Sequence, residues 1–346
     1  MARMPEGQMF SDPGNDSAVM AAWERFLDEG YSPDGLRALV DGSWQRCQQH
    51  NVDPDKRSAP PPVGEAALES MRCVHGELLE ASAPVMACAR DFLAETGTVM
   101  ALADTSCTIL TMEGDGPTID SAGSIHLLPG VAWSERICGT NAIGTALAVG
   151  QPVQIHSAEH YCAGIKRWTC SATVIRHPLD GEILGVVDVS GLSETYNRQS
   201  LALVVTTASR IESRLTMREM ERRYQLLETV LPKWSAGTDG LVLFDRRGFP
   251  VKANENAQVA IAALGGELYL AAPRRLPALA LGDGNTLSTA VSLPGWVRRE
   301  WLEPVMSGRE RIGTLLVLPL PRLGRAVAGS EARALERASA VPLQPP

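Results

Sequence analysis

Trp133-Ser134-Glu135-Arg136-Ile137-Cys138-Gly139-Thr140-Asn141-Ala142-Ile143-Gly144-Thr145 is the densest polar stretch of the chain, and the fold reading turns on it. Gly139 and Gly144 bracket a loop that enters a short helix. Asn141 is placed to cap that helix over Ala142–Val149, and Gly150 stops it. Such a loop exposes backbone N–H groups, while Thr140 and Asn141 add neutral donors and acceptors suited to a small polar ligand or to a buried turn. It is not a phosphate loop, because G-x-x-x-x-G-K-[ST] occurs nowhere and the nearest downstream lysine is Lys166.

Working outward, β-rich runs at 98–103 and 107–112 precede the loop, and two further strands flank the turn Asp180-Gly181. Before them, 65–95 carries apolar residues at helical spacing, with Pro84 expected to kink or divide the helix. Earlier still, 1–16 reads as a loose tail. Ser32-Pro33-Asp34 is expected to start the first helix, whose stripe is Leu36, Leu39, Val40, Trp44 and Cys47, and Pro54 and Pro60-Pro61-Pro62 close that segment as a linker. The order of helix, strands, short helix, strands and helix describes an α+β domain with an antiparallel sheet and flanking helices.

After it, 197–231 reads as one long helix. Val204, Ala208, Ile211 and Leu215 form one stripe; Met217, Met220, Tyr224, Leu227 and Leu231 form another, out of phase with the first. Such a helix either packs on its own domain or pairs in part with a second copy. A second, smaller α+β unit follows: strands at 240–244 and Pro250–Ala253, a helix capped by Asn254 and reaching Leu264, and β-rich stretches at 288–292, 295–302 and 312–318. The resulting division is 1–62 for the tail and helical segment, 63–215 for the main domain with its leading helix, 196–232 for the connecting helix, 233–320 for the second domain, and 321–346 for a flexible tail.

At 346 residues the chain is long enough for two or three domains at roughly 150 residues each. With 32 basic and 40 acidic residues its net charge is -8, the wrong sign for a chain whose main partner is a phosphate backbone. No apolar run approaches the roughly 18 residues that cross a bilayer, and the N-terminus lacks a signal-peptide core, so a cytoplasmic location without membrane or direct nucleic-acid binding is expected. Seven scattered cysteines without a C-x-x-C pair read as reduced thiols.

His156-Ser157-Ala158-Glu159-His160 matches the H-x-x-E-H of one metalloprotease group. That motif needs a helix, whereas 153–155 reads as a strand running into His156. Cys162 and Cys170 with His160 leave open a metal-based or cysteine-based redox or gas sensor, beside the commoner reading of inert buried thiols. No nucleophile, base and orienter assemble in a catalytic order. Neither a metal site nor a cofactor is specified.

Taken together, Trp133-x-Glu135-x-x-x-Gly139-Thr140-Asn141-x-x-Gly144-Thr145, then Glu159-His160-Tyr161, Thr169-Cys170-Ser171-Ala172 and Asp180-Gly181-x-x-x-Gly185-x-x-Asp188-x-Ser190-Gly191, closely resemble the GAF sensory domain of acetoin-regulator-like (AcoR-like) bacterial transcriptional activators. Ser43-Trp44-x-Arg46-Cys47, followed by Asp53-Pro54, is similar to that family's N-terminal helical segment, and 236–320 resembles the PAS-type domain that often follows. The usual Pro-Ile and Asp-Pro of one strand appear instead as Val174-Ile175 and His177-Pro178. Neither a Walker motif nor a C-terminal helix-turn-helix is recognisable, so the chain resembles the sensory half of a sigma-54-dependent activator.

The resemblance implies a dimeric small-molecule sensor of transcription whose signal passes through the long helix to a partner, either a full-length regulator or the transcription machinery. It implies a pocket walled by Trp133, Glu135, Thr140, Asn141, His160, Tyr161 and Cys170. Trp133 and Tyr161 would give apolar surface, and Glu135, Asn141 and His160 would fix polar groups. Gly139, Gly144, Thr145 and Asp188 are read as structural, the glycines shaping the turn and Asp188 satisfying a neighbouring backbone group. Two other readings stay open. Some GAF domains reduce methionine sulfoxide through cysteines, which requires a thiol of depressed pKa. Alternatively, the pocket is empty and the chain acts only through a partner.

Overall fold

The computed structural model describes residues 10–30, 35–236, 238–268, 274–281, 286–287 and 291–319. The chain divides into two compact units, one ending at Arg218 and one beginning at Glu219.

The first unit is built on a five-stranded antiparallel sheet of order β2-β1-β5-β4-β3. The strands are β1 (Thr98–Ala103), β2 (Ile109–Gly114), β3 (Val153–His156), β4 (Trp168–Arg176) and β5 (Ile183–Leu192). Because side chains alternate along a strand, β1, β4 and β5 each feed two cores. Met100, Leu102, Ile175, Val187 and Val189 face one core, while Val99, Ala101, Ala103, Ala172, Val174 and Val186 face the other.

The first of these faces is covered by helices. α3 (Glu65–Val74) leads into α4 (Gly76–Leu93), which buries Leu78, Val85, Met86 and Leu93. α8 (Gln199–Ala236) adds Leu201, Val204, Ala208, Ile211 and Leu215. The break expected at Pro84 lies at His75 instead, between α3 and α4. Pro84 sits inside α4, where Arg214 of α8 donates to the Ala81 carbonyl over 2.9 Å.

The opposite face carries α1 (Asp16–Glu29), α2 (Ala38–Gln49), α5 (Gly116–Gly123), α6 (Glu135–Cys138) and α7 (Ala142–Val149). α1 corrects the sequence reading, which left this segment without a helix. Ala22, Trp23 and Phe26 fall on one helical face and are buried, and Gly30 ends the helix at φ 76. α2 begins after Arg37, and the expected start at Ser32-Pro33-Asp34 lies outside the described residues. Its stripe of Leu39, Val40, Trp44 and Cys47 is buried as expected.

Two further boundaries move. β2 begins at Ile109, because Cys107 takes φ 63 in a turn where the Asp104 carboxylate accepts the Ser106 and Thr108 N–H groups. α8 runs past Leu231 and includes Pro232. Of the two stripes on α8, the first packs within its own domain. Met217, Met220, Tyr224 and Leu231 of the second are 58–67% exposed, while Leu227 is half-buried against the second unit's core.

The second unit is built on a four-stranded antiparallel sheet of order β7-β6-β9-β8, with β6 (Gly240–Asp245), β7 (Pro250–Ala253), β8 (Leu302–Ser307) and β9 (Glu310–Leu318). α9 (Glu255–Ala263), capped by Asn254 on the Ala257 N–H, packs Ala257, Ala260 and Ile261 on one face. Leu226 and Val230 pack against Leu241, Leu243 and Leu315. The stretch 295–302 is a turn followed by a 3-10 turn over Arg299–Trp301, and the strand begins only at Leu302. Of the expected strand at 288–292, residues 288–290 and the tail after Pro321 lie outside the described residues, and 291–292 are not in a strand.

Candidate functional site

The loop before α7 is held by its glycines. Gly139 has φ 68, and a Cβ there would meet Cys162 Sγ and Tyr161 Cβ at 2.9 Å. A Cβ on Gly144 would lie 2.7 Å from the Glu135 nitrogen and 2.8 Å from the Trp133 carbonyl oxygen. Asn141 commits its whole side chain to this turn: Oδ1 accepts the Gly144 N–H at 2.9 Å and Nδ2 donates to the Gly139 carbonyl at 2.8 Å.

With the backbone so fixed, Trp133, Asn141, Ala142 and Ile143 form one wall of a small cavity of about 10 Å3, room for a single water molecule. Trp168 and Cys170 of β4, with Asp188 and Ser190 of β5, form the floor; Cys170 pairs with Ser190 across the strands. Ile125, Leu127, His160 and Ile165 complete the lining.

Four of the seven expected wall residues therefore meet: Trp133, Asn141, His160 and Cys170. Glu135, Thr140 and Tyr161 lie elsewhere. Glu135 is buried under α2, where its carboxylate accepts from Ser43 Oγ at 2.5 Å, Thr145 Oγ1 at 2.7 Å, Arg46 Nε at 2.6 Å and Arg46 Nη2 at 2.8 Å. Thr140 Oγ1 joins the same network, 2.7 Å from Ser43 Oγ. The bidentate contact raises the Arg46 pKa, chiefly through its hydrogen bonds to Glu135. Thr145, read as structural, belongs here as well. The Tyr161 ring packs edge-on against Phe26 of α1, centroids 6.4 Å apart.

Asp188 corrects the sequence reading most clearly. It satisfies no backbone group. Its Oδ2 accepts from Ser190 Oγ at 2.6 Å, and its Oδ1 has no hydrogen-bond partner among the described residues. Burial pushes its carboxyl up to about 7. The alternation that points Ala172 and Val186 into this core also points Asp188 there, but that a carboxylate would be left half-satisfied had no local signal.

His160 is buried, and loss of solvation pushes its imidazole down to about 3. Its Nδ1 lies 3.1 Å from the Ser157 carbonyl, an acceptor only, so Nδ1 carries the proton and Nε2 is an acceptor. The segment around it is clamped from outside. Arg37 donates to both carboxylate oxygens of Glu159 at 2.7 Å, Trp44 Nε1 donates to the Glu159 carbonyl at 2.8 Å, and Trp23 Nε1 donates to the Tyr161 carbonyl at 2.9 Å. Lys166 Nζ donates to the Ala158 and His160 carbonyls and lies 4.1 Å from the Trp23 ring centroid. The H-x-x-E-H residues thus occupy a strand end and a 3-10 turn, with Glu159 engaged by Arg37. No group of three or more metal-ligating side chains occurs among the described residues.

Cys138, Cys162 and Cys170 are not activated. Burial pushes the Cys138 and Cys162 thiols up to about 12 and Cys170 well above the ordinary thiol value, opposite to a poised nucleophile.

Residues 15–213, more than half of the chain, match the family described as MimR, N-terminal domain. The chain belongs to that family. Among curated relatives of this MimR N-terminal region, an uncharacterized 47.3 kDa protein in the thcA 5' region of Rhodococcus erythropolis is 34% identical over 64% of the chain and 51% of its own length. The acetoin dehydrogenase operon transcriptional activator AcoR of Bacillus subtilis is 29% identical over 60% of the chain and 34% of its own length. The propane 2-monooxygenase operon transcriptional activator MimR of Mycolicibacterium smegmatis is 30% identical over 61% and 35%. The chain spans about half of the first relative and about a third of the other two. The structure of the Escherichia coli DhaR(N)-DhaL complex contains a chain of the same fold, with a TM-score of 0.53 at 18% identity over 82% of this chain and 99% of that one. No helix among the described residues is long and apolar enough to cross a membrane.

Proposed function

We propose that this MimR N-terminal-type chain is a cytoplasmic, dimeric sensor of a small metabolite that regulates transcription. The observation that carries the reading is the first unit's cavity, whose mostly apolar lining holds one buried carboxylate oxygen without a partner. Buried polar groups are nearly always satisfied, so an exception facing a cavity calls for a partner from outside the chain, which in this reading is a ligand that takes the place of water. The named operons of two relatives, for acetoin dehydrogenase and propane 2-monooxygenase, agree with a ligand of few carbon atoms.

The cavity's size supports a mechanism. A ligand larger than one water has to displace a wall, and the β4–β5 floor is tied on both edges by neighbouring strands. The 157–165 segment is the movable side, held by side chains of α1, α2 and the Arg37 loop. Ligand binding favours a form in which this segment is displaced and the helices docked on it are repacked, a shift that α8 then passes to a partner. The exposed Met217, Met220, Tyr224 and Leu231 are the surface through which two copies would pair. The raised thiols oppose the reductase alternative, which needs a depressed one.

The test is native mass spectrometry of the purified chain together with a thermal-shift panel of small neutral metabolites, run beside Ala142→Leu, which puts extra carbons into the cavity. At least one compound raising the melting temperature of the parent but not of the variant is expected. A panel with no effect, or one equal in both proteins, would contradict the sensor reading.

A further inference from the structure

The cavity's polar inventory is unequal. The Ser190 hydroxyl is spent on Asp188 Oδ2, the Asn141 amide on its own turn, and the Trp133 indole N–H on the His126 carbonyl over 3.2 Å. The group left over is an acceptor, Asp188 Oδ1. Asp188 is 1% exposed. The residues opposite it in register are both alanines, Ala101 on β1 and Ala172 on β4, which offer the carboxyl no side-chain polar partner. His160, also in the lining, has Nδ1 committed to Ser157 and keeps Nε2 as an acceptor.

An orphaned acceptor is satisfied by a ligand that donates. A ketone or an ether would leave Asp188 Oδ1 as it is, whereas a hydroxyl completes it. An ammonium would also donate, but it would have to shed its hydration in a lining that is mostly hydrocarbon and whose one charged side chain is Asp188, and a buried ion pair so poorly supported does not recover that cost. Resting on the sensor reading above, we propose that Asp188 is the ligand-selecting residue of this cavity and that the ligand class is a small neutral alcohol. Its hydroxyl donates to Asp188 Oδ1, a second hydroxyl where present donates to His160 Nε2, and its few carbons lie against Trp133, Ile143 and Trp168. Ser190 is a positioning residue: its hydrogen bond holds Oδ2 and so keeps Oδ1 turned to the ligand.

The probes are 2-butanol, 2-butanone and 2-butylammonium, three polar groups on one carbon frame. Each is titrated into the full chain at pH 8, with the indole N–H resonances of Trp133 and Trp168 as the readout. The expected result is a saturable shift with 2-butanol at an affinity about ten-fold or more above that of 2-butanone, the loss of one hydrogen bond to a buried charged group. In Asp188→Asn, where an amide can place a donor at the same site, 2-butanol should lose about ten-fold and the preference should move toward 2-butanone. Ser190→Ala, which keeps the carboxyl, should weaken 2-butanol by a smaller factor while keeping the alcohol preferred, and serves as the folded control should Asp188→Asn unfold. Equal or tighter binding of 2-butanone or 2-butylammonium by the parent overturns the alcohol assignment, as does an unchanged preference in Asp188→Asn. If these probes fail while another compound from the metabolite panel binds in the cavity, the alcohol class is wrong and the sensor reading stands. If nothing binds there, both fall.

Discussion

Replacing Asp188 by Asn should change the pH dependence of stability in a way that follows from the buried carboxyl alone. The Asp188 carboxyl is held at about 7 in the folded chain against an ordinary 3.8, because burial disfavours its charged form and the Ser190 hydrogen bond offsets that only in part. A group that holds its proton more tightly when folded stabilises the fold most below its unfolded value. That contribution is lost as pH rises toward the folded value, and nothing further changes above it. Between pH 5 and pH 8 the loss is on the order of 3 kcal/mol, taking about 1.4 kcal/mol for each pH unit over which only the folded form is protonated. The other ionisable groups in the lining do not titrate in this window: His160 is pushed down to about 3 and Cys170 well up. Asn cannot ionise and has nearly the same shape. Urea unfolding of both proteins at half-unit intervals from pH 5 to 8 should therefore show the variant gaining on the parent by roughly 3 kcal/mol, with the gain ending near pH 7. A difference constant with pH, or one moving against the variant as pH rises, would refute the raised carboxyl and with it the orphaned oxygen.

Other outcomes follow from the same geometry. Arg46→Met leaves Glu135 buried with hydroxyl partners only and should cost about 2–3 kcal/mol in urea unfolding, discounted because Arg46 is one-third exposed; a loss under about 0.5 kcal/mol would show the pair to be incidental. Gly139→Ala has to adopt φ 68 with its Cβ at 2.9 Å from Cys162 Sγ and should cost more than about 2 kcal/mol, measured the same way. The double variant Met220→Glu with Tyr224→Glu should halve the mass seen by analytical ultracentrifugation while changing monomer stability by less than about 0.5 kcal/mol, since both side chains are exposed. Alkylation at pH 8 followed by mass spectrometry should label exposed Cys73 first and Cys138, Cys162 and Cys170 last; early labelling of Cys170 would revive the redox reading.

How much of this was readable beforehand depended on how local each signal is. α7, its Asn141 cap and its Gly150 stop lie within ten residues of one another, and Asp180-Gly181 marks the β4–β5 hairpin in the same way. α1 was hidden because Trp23 and Phe26 follow a stretch rich in Pro, Gly, Asp and Asn that resembles a tail. Pro84 misled because proline position suggests a break, whereas tertiary packing kept α4 whole and placed the break at His75.

At the site, the turn residues could be identified from their types, but the wall could not. Glu135 has the look of a ligand-fixing carboxylate, yet it pairs with Arg46, 89 residues away, a partner that no local pattern announces. Tyr161 sits one residue from His160 but turns to Phe26 of α1, a helix missing from the sequence reading. Asp188 sits in a strand whose alternation places it inward, and only the assembled cavity shows that one of its oxygens is left over.

The account rests on a ligand entering this cavity and displacing the segment clamped by Arg37, Trp23 and Trp44. Hydrogen exchange read by mass spectrometry, on the parent and on Asp188→Asn with and without 2-butanol at the parent's half-saturating concentration at pH 8, tests that directly. The account predicts altered exchange in 157–165 and in the helices docked on it, α1 and α2, in the parent and only a small fraction of that change in Asp188→Asn. Unaltered exchange in 157–165 of the parent, even at saturation, or an equal change in Asp188→Asn at the half-saturating concentration, would contradict it.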